Sequence, residues 1–127
     1  MKKKIAYAAA AALLTGLGGY YFMSGMKAAE VVRKLSGMRV ALELYRQEYK
    51  RPPASFGDIL KAGTLEEAPA LKLARHFRRS SVRDTPSMII KDTGGWAYVN
   101  APKDPAFGLL YIDCAHRDEK GRYWSEF

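Results

Sequence analysis

Apolar and polar residues divide the first fifty positions of the chain into two patterns. Residues 5–23 are apolar on every side, and Thr15 is their one polar side chain apart from the tyrosine hydroxyls. Residues 28–49 carry apolar side chains at steps of three and four, which predicts one buried stripe of an amphipathic helix. The members of this stripe are Ala28, Val31, Leu35, Met38, Leu42, Tyr45 and Tyr49. Because only Ser24-Gly25 separates the two patterns, we predict one continuous helical rod, with its amphipathic half at 26–51.

The pattern after Pro52-Pro53 is that of a short helix, a loop and a small sheet. Ser55 and Asp58 have the spacing of a capping box, so residues 54–86 are predicted to hold the short helix and the loop. After Pro86, apolar runs alternate with turn residues, and the short connections favour antiparallel pairing. The predicted strands are 87–91, 96–100, 109–114 and an aromatic edge at 123–127.

These elements predict an α+β fold for residues 26–127. A long N-terminal helix packs its stripe on an antiparallel sheet of three to four strands, which occupies residues 87–127. Trp96, in the second predicted strand, is expected to join the stripe in the core between helix and sheet.

Residues 1–25 have the composition of a membrane segment. A helix over residues 5–23 is about 28 Å long, close to the thickness of a bilayer core. Lys2–Lys4 precede it, and Tyr20–Phe22 end it where an aromatic belt meets the headgroups. We predict an anchor or an uncleaved signal segment, and a cleaved signal peptide is the alternative. Small residues on one face predict close helix packing or assembly in the membrane: Ala8, Ala12, Gly16 and Gly19.

The net charge of +8 is concentrated in Lys2–Lys4 and in the stretch 72–83. No predicted helix combines a basic face with interleaved aromatic residues, so a nucleic-acid partner is not expected. The stretch 72–83, to whose basic surface His76 is assigned, would face an acidic neighbour, anionic lipid or solvent. The single cysteine, Cys114, excludes a disulfide within the chain.

Residues suited to metal binding are few. Four side chains close in sequence carry carboxylate, thiolate and imidazole groups, which are zinc ligands: Asp113, Cys114, His116 and Asp118. Successive residues of a strand point to opposite faces, and no second cysteine or histidine pair completes a closed site, so no metal is expected. Calcium is the alternative cofactor, held by Asp113, Asp118 and Asp104. No G-x-S-x-G motif occurs, and we expect a protein that is not an enzyme.

Several stretches, taken in order, resemble the type IV pilin-like family, including the pseudopilins of type II secretion. The apolar helix continues as an amphipathic one that ends at 40–45 (VALELY), and Pro52-Pro53 follow. Residues 94–99 (GGWAYV) and 108–114 (GLLYIDC) are similar to strands of the family's sheet.

The resemblance implies a structural subunit anchored in the membrane. Such subunits assemble with copies of themselves or with other pilin-like subunits into a type IV pilus or a type II secretion filament. It also implies a single-pass protein of the bacterial inner membrane with its C-terminal domain in the periplasm. The alternative is a stand-alone anchored or secreted small binding domain with a pilin-like fold.

Two features of the family are absent from this sequence. Family members carry a cleavage site before the apolar segment, in which a Gly precedes Phe or Met and Glu is the fifth mature residue. Gly25, Met26 and Glu30 reproduce that spacing after the apolar run, and the match is treated as accidental. Residues 5–23 also lack the acidic residue that family members bury there. The chain is therefore predicted to be either a pilin-like subunit that keeps its leader or a monomeric membrane protein on the same plan.

Overall fold

Two N-terminal helices, a short third helix and a three-stranded sheet form the protein. The computed structural model describes residues 1–127. The elements are α1 (Lys2–Met23), α2 (Ala28–Tyr49), α3 (Gly57–Lys61), β1 (Val82–Thr85), β2 (Gly95–Val99), β3 (Leu110–Asp113) and a final 3-10 turn (Trp124–Glu126). The α+β class and the helix-on-sheet arrangement are confirmed.

Helix α1 presents an apolar surface that no other part of the chain covers. None of its residues is buried, and it is the one helix long and apolar enough to cross a membrane. Leu13, Leu14 and Leu17 are each more than half exposed. A 22-residue helix of this composition has the dimensions of a single membrane span.

The helical rod is interrupted at residues 24–27, so the prediction of one continuous rod with a helix from 26 is wrong. Ser24 and Lys27 are extended, with ψ of 152° and 154°. Gly25 lies against the backbone of residues 73–74. A Cβ atom built on Gly25 would be 2.9 Å from the carbonyl carbon of Leu73, which is too close for any other residue. The Met26 N–H donates to the carbonyl of Lys72 at 2.8 Å. The link leaves the helical conformation because its backbone pairs with a distant segment.

The core lies between α2 and one face of the sheet. The first six members of the predicted stripe are at most 7% exposed, and Trp96 packs among them at 1%. Tyr49, the last member, is 45% exposed, so its assignment to the core is wrong. Its ring stacks on Tyr45, with centroids 4.3 Å apart, at the end of the helix.

The sheet is mixed, with the strand order β1-β2-β3. Strands β2 and β3 form the predicted antiparallel pair, with Trp96 opposite Ile112. Strand β1 runs parallel to β2, with Val82 opposite Trp96. The prediction that every strand pairs antiparallel is therefore wrong.

Two predicted strands do not form. Residues 87–91 are irregular because side chains occupy their backbone groups: the Tyr111 hydroxyl donates to the carbonyl of Ile89 at 2.7 Å, and Asp113 accepts the N–H of Lys91 at 2.7 Å. The aromatic edge at 123–127 is the 3-10 turn, and Tyr123 contributes a single bridge to Arg117. The predicted short helix within 54–86 is confirmed as α3.

Candidate metal centre

Four potential metal ligands from separate parts of the chain meet at one end of the sheet. His76 lies in the loop before β1, Asp92 in the turn before β2, Cys114 directly after β3, and His116 two residues further on. Their ligand atoms all lie within 4.8 Å of one another. These four residues are termed the His–Asp–Cys–His cluster.

The distances within the cluster are short and similar. His76 Nε2 is 3.1 Å from His116 Nδ1, 3.1 Å from Asp92 Oδ1 and 3.4 Å from Cys114 Sγ. His116 Nδ1 is 3.5 Å from Asp92 Oδ1 and 3.5 Å from Cys114 Sγ. Two nitrogens, one oxygen and one sulfur therefore surround a common point.

The burial of the cluster is graded from the core to the surface. Cys114 is fully buried and His76 is 9% exposed, whereas Asp92 and His116 are partly exposed. Burial raises the pKa of the Cys114 thiol to about 11. Burial also lowers the pKa of His76, in spite of the nearby Asp92 carboxylate. The His76 imidazole is consequently neutral, the form in which a ring nitrogen binds a metal.

Asp113, one of the four candidate ligands suggested by the sequence, lies on the opposite face of β3 from Cys114 and does not belong to the cluster. Its carboxylate accepts hydrogen bonds from the Lys91 N–H at 2.7 Å, the Thr93 hydroxyl at 2.7 Å and the Arg83 guanidinium at 3.2 Å. Burial alone would raise the pKa of Asp113, but these three bonds outweigh it and hold the pKa below its usual value. Asp113 thereby fixes the turn that presents Asp92.

Gly94 provides the space that His76 occupies. Its φ is +74°, and a Cβ atom on it would lie 2.5 Å from the Cβ of His76 and 2.7 Å from its Nδ1. The Gly94 N–H also donates to the carbonyl of Asp113 at 2.8 Å. The left-handed conformation and the close approach both require glycine at this position.

Asp118, another of the four candidate ligands, is outside the cluster as well. Its carboxylate accepts hydrogen bonds from the N–H groups of Lys120 and Arg122 at 2.9 and 2.8 Å, and from the Arg122 side chain at 3.0 Å. Burial would raise the pKa of Asp118, and these bonds hold it below its usual value. Asp118 closes the turn that follows His116.

The three carboxylates of the alternative calcium site do not come together. Asp104 accepts a hydrogen bond within the loop between β2 and β3, at the end of the hairpin opposite to Cys114. Asp113 and Asp118 are each satisfied by their own turns. The structure therefore does not form the calcium site that the sequence offered as an alternative.

Sequence reasoning found two members of the cluster and missed two. The sequence indicates Cys114 and His116 as candidate ligands, whereas it places His76 in a basic surface stretch and Asp92 in a turn. The separations from 76 to 92 and from 92 to 114 match no local ligand motif, and these residues meet only once the sheet has formed.

The loop that carries His76 also contacts the end of α1. Residues 72–79 are termed the neck loop. The ring of Phe77 lies 6.4 Å from that of Tyr21 and 6.0 Å from that of Phe22. The Arg75 N–H donates to the carbonyl of Phe22 at 2.7 Å. Much of the basic stretch thus lies where the apolar helix joins the folded domain.

Comparison with known proteins places the chain in no family. No family model matches it, and neither a curated protein nor a solved structure matches it. Two features of the molecule bear on its function: the exposed apolar helix with its neck loop, and the His–Asp–Cys–His cluster.

Proposed function

We propose that the protein is a structural subunit, anchored in a membrane by α1, that assembles with copies of itself or with related subunits. Its plan is similar to that of type IV pilins and type II secretion pseudopilins. The observation that carries the proposal is α1 itself: 22 residues without an acidic side chain and with none buried, joined to a folded domain. Exposed apolar surface of this extent is stable only in lipid or against other apolar helices. The proposal assigns the chain no catalytic role.

The neck loop supports a position of the domain directly on the membrane surface. Tyr21, Phe22 and Phe77 form an aromatic group at the end of α1, and Phe77 is 65% exposed. Lys72 lies 4.8 Å over the ring of Tyr21 but is buried, and its ammonium donates to the carbonyls of Ser24 and Leu73. The exposed cations of the neck loop are Arg75, Arg78 and Arg79. Aromatic rings at headgroup depth with cations beside them are typical of a membrane interface, where the cations bind lipid phosphates.

The proposed location is the inner membrane of a bacterium, with α1 crossing once and the domain in the periplasm. The location rests on the likeness to pilin-like subunits. Lys2–Lys4 at the start of α1 agree with a cytoplasmic N-terminus, whereas Lys27 and the arginines of the neck loop place further positive charge at the other end of the span. An intact N-terminal Met1 on the membrane-bound protein, measured by mass spectrometry, would agree with a retained anchor. A new N-terminus near Gly19 would instead support a secreted domain.

The small residues of α1 supply the proposed assembly face. At about 100° per residue, Ala8, Ala12, Gly16 and Gly19 fall on one side of the helix, and Ala10 falls on the opposite side. All five are exposed. Small side chains let helix backbones approach closely in a membrane, where packing rather than the hydrophobic effect drives association.

A pair of matched substitutions tests the assembly face. Ala12→Leu adds the same bulk to the small-residue face that Ala10→Leu adds to the other side. We expect the native chain and Ala10→Leu to form the same oligomers or filaments, measured by chemical crosslinking in membranes and by electron microscopy, and Ala12→Leu to lose them. If the native chain is monomeric in membranes at high density, the stand-alone anchored binding domain becomes the better interpretation. Equal assembly by the two variants would remove the small-residue face from the proposal.

A further inference from the structure

We propose that the His–Asp–Cys–His cluster binds one Zn²⁺ ion in a closed, structural site. The ligand atoms are His76 Nε2, Asp92 Oδ1, Cys114 Sγ and His116 Nδ1. This proposal does not depend on the membrane function of the chain.

Five of the six distances among the four atoms are close to those of a tetrahedron around zinc, and the sixth, from Asp92 Oδ1 to Cys114 Sγ, is at most 4.8 Å. Zinc bonds of about 2.0–2.1 Å to nitrogen and about 2.3 Å to sulfur put two nitrogen ligands about 3.3 Å apart, and nitrogen and sulfur about 3.5 Å apart. The two imidazole nitrogens of the cluster are 3.1 Å apart, and the sulfur lies 3.4 and 3.5 Å from them. The oxygen lies 3.1 and 3.5 Å from the same nitrogens. The two imidazole nitrogens and the sulfur therefore already have the separations that zinc requires, and the partly exposed Asp92 side chain completes the set.

A network of hydrogen bonds without a metal explains the cluster less well. His76 Nε2 has three partners within 3.4 Å, namely His116 Nδ1, Asp92 Oδ1 and Cys114 Sγ. A neutral imidazole nitrogen carries at most one proton, so it can make one of these contacts as a donor. His116 Nδ1 meets the same restriction with three partners of its own. A cation at the centre satisfies all four groups together.

The donor set identifies the metal class. Sulfur with two imidazoles in a tetrahedron is typical of zinc, whereas calcium and magnesium select oxygen ligands. On binding, the Cys114 thiol releases its proton to solvent and the sulfur bonds to zinc. The thiolate and the Asp92 carboxylate then balance the charge of the ion, and the two imidazoles remain neutral. Four protein ligands leave no position for water or substrate, which is the arrangement of a structural zinc site.

The cluster is held in place by groups that do not touch the ion. The Ala115 N–H donates to Asp92 Oδ1 at 2.8 Å, and the His116 N–H donates to Cys114 Sγ at 3.3 Å. Asp113 fixes the Asp92 turn, and Gly94 leaves room for His76. Such outer contacts orient metal ligands and raise affinity.

Zinc at this site would join the neck loop to the end of the sheet. His76 is the single ligand from the neck loop, whereas Asp92, Cys114 and His116 border the β2–β3 hairpin. A domain of about a hundred residues has a small core, and a metal cross-link between distant segments adds to its stability.

The test uses the full chain in mild detergent, stripped of metal with a chelator. Zinc chloride is added, and the bound metal is counted by elemental mass spectrometry after desalting. We expect one zinc per chain and a higher melting temperature with zinc than without. Cobalt chloride in place of zinc should give a sulfur-to-cobalt charge-transfer band and the intense visible bands of a tetrahedral site. A folded chain, judged by near-ultraviolet circular dichroism, that retains no zinc and shows no such bands would overturn the proposal.

Substitutions separate the site from zinc bound elsewhere. His116→Gln changes a partly exposed ligand, and we expect zinc affinity to fall by more than about a hundredfold, since loss of an outer contact alone costs about 10–100-fold. Cys114→Ser should remove the charge-transfer band. Asp104→Asn, a carboxylate change at the far end of the hairpin, is the control and should keep native affinity. Native zinc affinity in folded His116→Gln would assign the metal to another place and overturn the proposal.

Discussion

Substitution of Gly94 by alanine tests how the sequence brings His76 into the cluster. The substitution carries two free-energy costs. The backbone at Gly94 has a φ of +74°, which alanine adopts with strain, and the new Cβ atom would overlap the His76 side chain. Gly63 offers a matched control, since its φ is also +74° and nothing lies within 4 Å of a Cβ built there. Gly63→Ala therefore carries the backbone cost alone, and the difference between the two variants measures the contact with His76.

The expected magnitudes follow from these two terms. A left-handed alanine costs roughly 1–2 kcal/mol, part of which is offset by the lower entropy of the unfolded chain, so Gly63→Ala should lose about 1 kcal/mol. Overpacking at Gly94 adds about 1–3 kcal/mol. Since 1 kcal/mol corresponds to about 4–8 °C for a domain of this size, Gly63→Ala should melt about 4–8 °C lower than the native chain. Gly94→Ala, with a total loss of about 2–4 kcal/mol, should melt roughly 8–32 °C lower.

The assay is thermal unfolding of the full chain in detergent, followed by near-ultraviolet circular dichroism with and without zinc, together with zinc affinity by chelator competition. Gly63→Ala should keep native zinc affinity, and Gly94→Ala should lose it because His76 is displaced. Equal losses of melting temperature and equal zinc affinities in the two variants would refute the reasoning.

Two further substitutions probe the core and the start of α2. Tyr98→Phe removes the 2.6 Å hydrogen bond from the buried hydroxyl to the Pro53 carbonyl, and we expect a loss of about 1–3 kcal/mol in the free energy of unfolding; unchanged denaturant unfolding would contradict this. Glu119 accepts the Ala28 N–H at 2.9 Å, and that bond lowers the pKa of its carboxyl. Because this pKa is lower in the folded protein than in the unfolded chain, the ionised carboxylate stabilises the fold at pH values above the unfolded pKa of about 4.3. This stabilisation is lost as the pH falls through the folded-state pKa. Glu119→Gln should therefore melt at a lower temperature than the native chain at pH 7, and this difference in melting temperature should disappear in acid. The exposed Glu66→Gln is the control. A difference that does not change with pH, or one equal to that of the control, would count against the role of Glu119 at the start of α2.

Local periodicity was sufficient to predict most of the helical part of the fold. The stripe from Ala28 to Tyr45 is buried because its spacing alone decides which side of the helix is apolar. The interruption at residues 24–27 could not be predicted, because it depends on the approach of residues 73–74 to Gly25. The sequence around Gly25 does not indicate that a distant segment of backbone packs against it.

The sheet and the cluster depended on contacts between distant segments. The apolar run 87–91 looks like a strand, yet its backbone groups pair with the Tyr111 hydroxyl and with Asp113. Strand β1 is instead the polar run VRDT at 82–85, which pairs parallel to β2. His76 joins the cluster for a similar reason, since only the folded sheet brings its loop to Cys114. The spacing of these residues in the sequence does not predict any of these long-range contacts.

The positions of the neck loop and the cluster connect the two proposals mechanically. The link at 24–27 pairs with the neck loop through the Met26 N–H and the Lys72 carbonyl, so a force on α1 passes to that loop as well as to α2. The pair of backbone bonds between Leu71 and Arg79 joins the two ends of the neck loop, and the loop contacts the end of the sheet through His76 in the cluster. Zinc would replace the hydrogen bonds of the His76 imidazole with a metal–ligand bond. In an assembled subunit that is pulled through its membrane helix, the metal would then resist separation of the neck loop from the sheet.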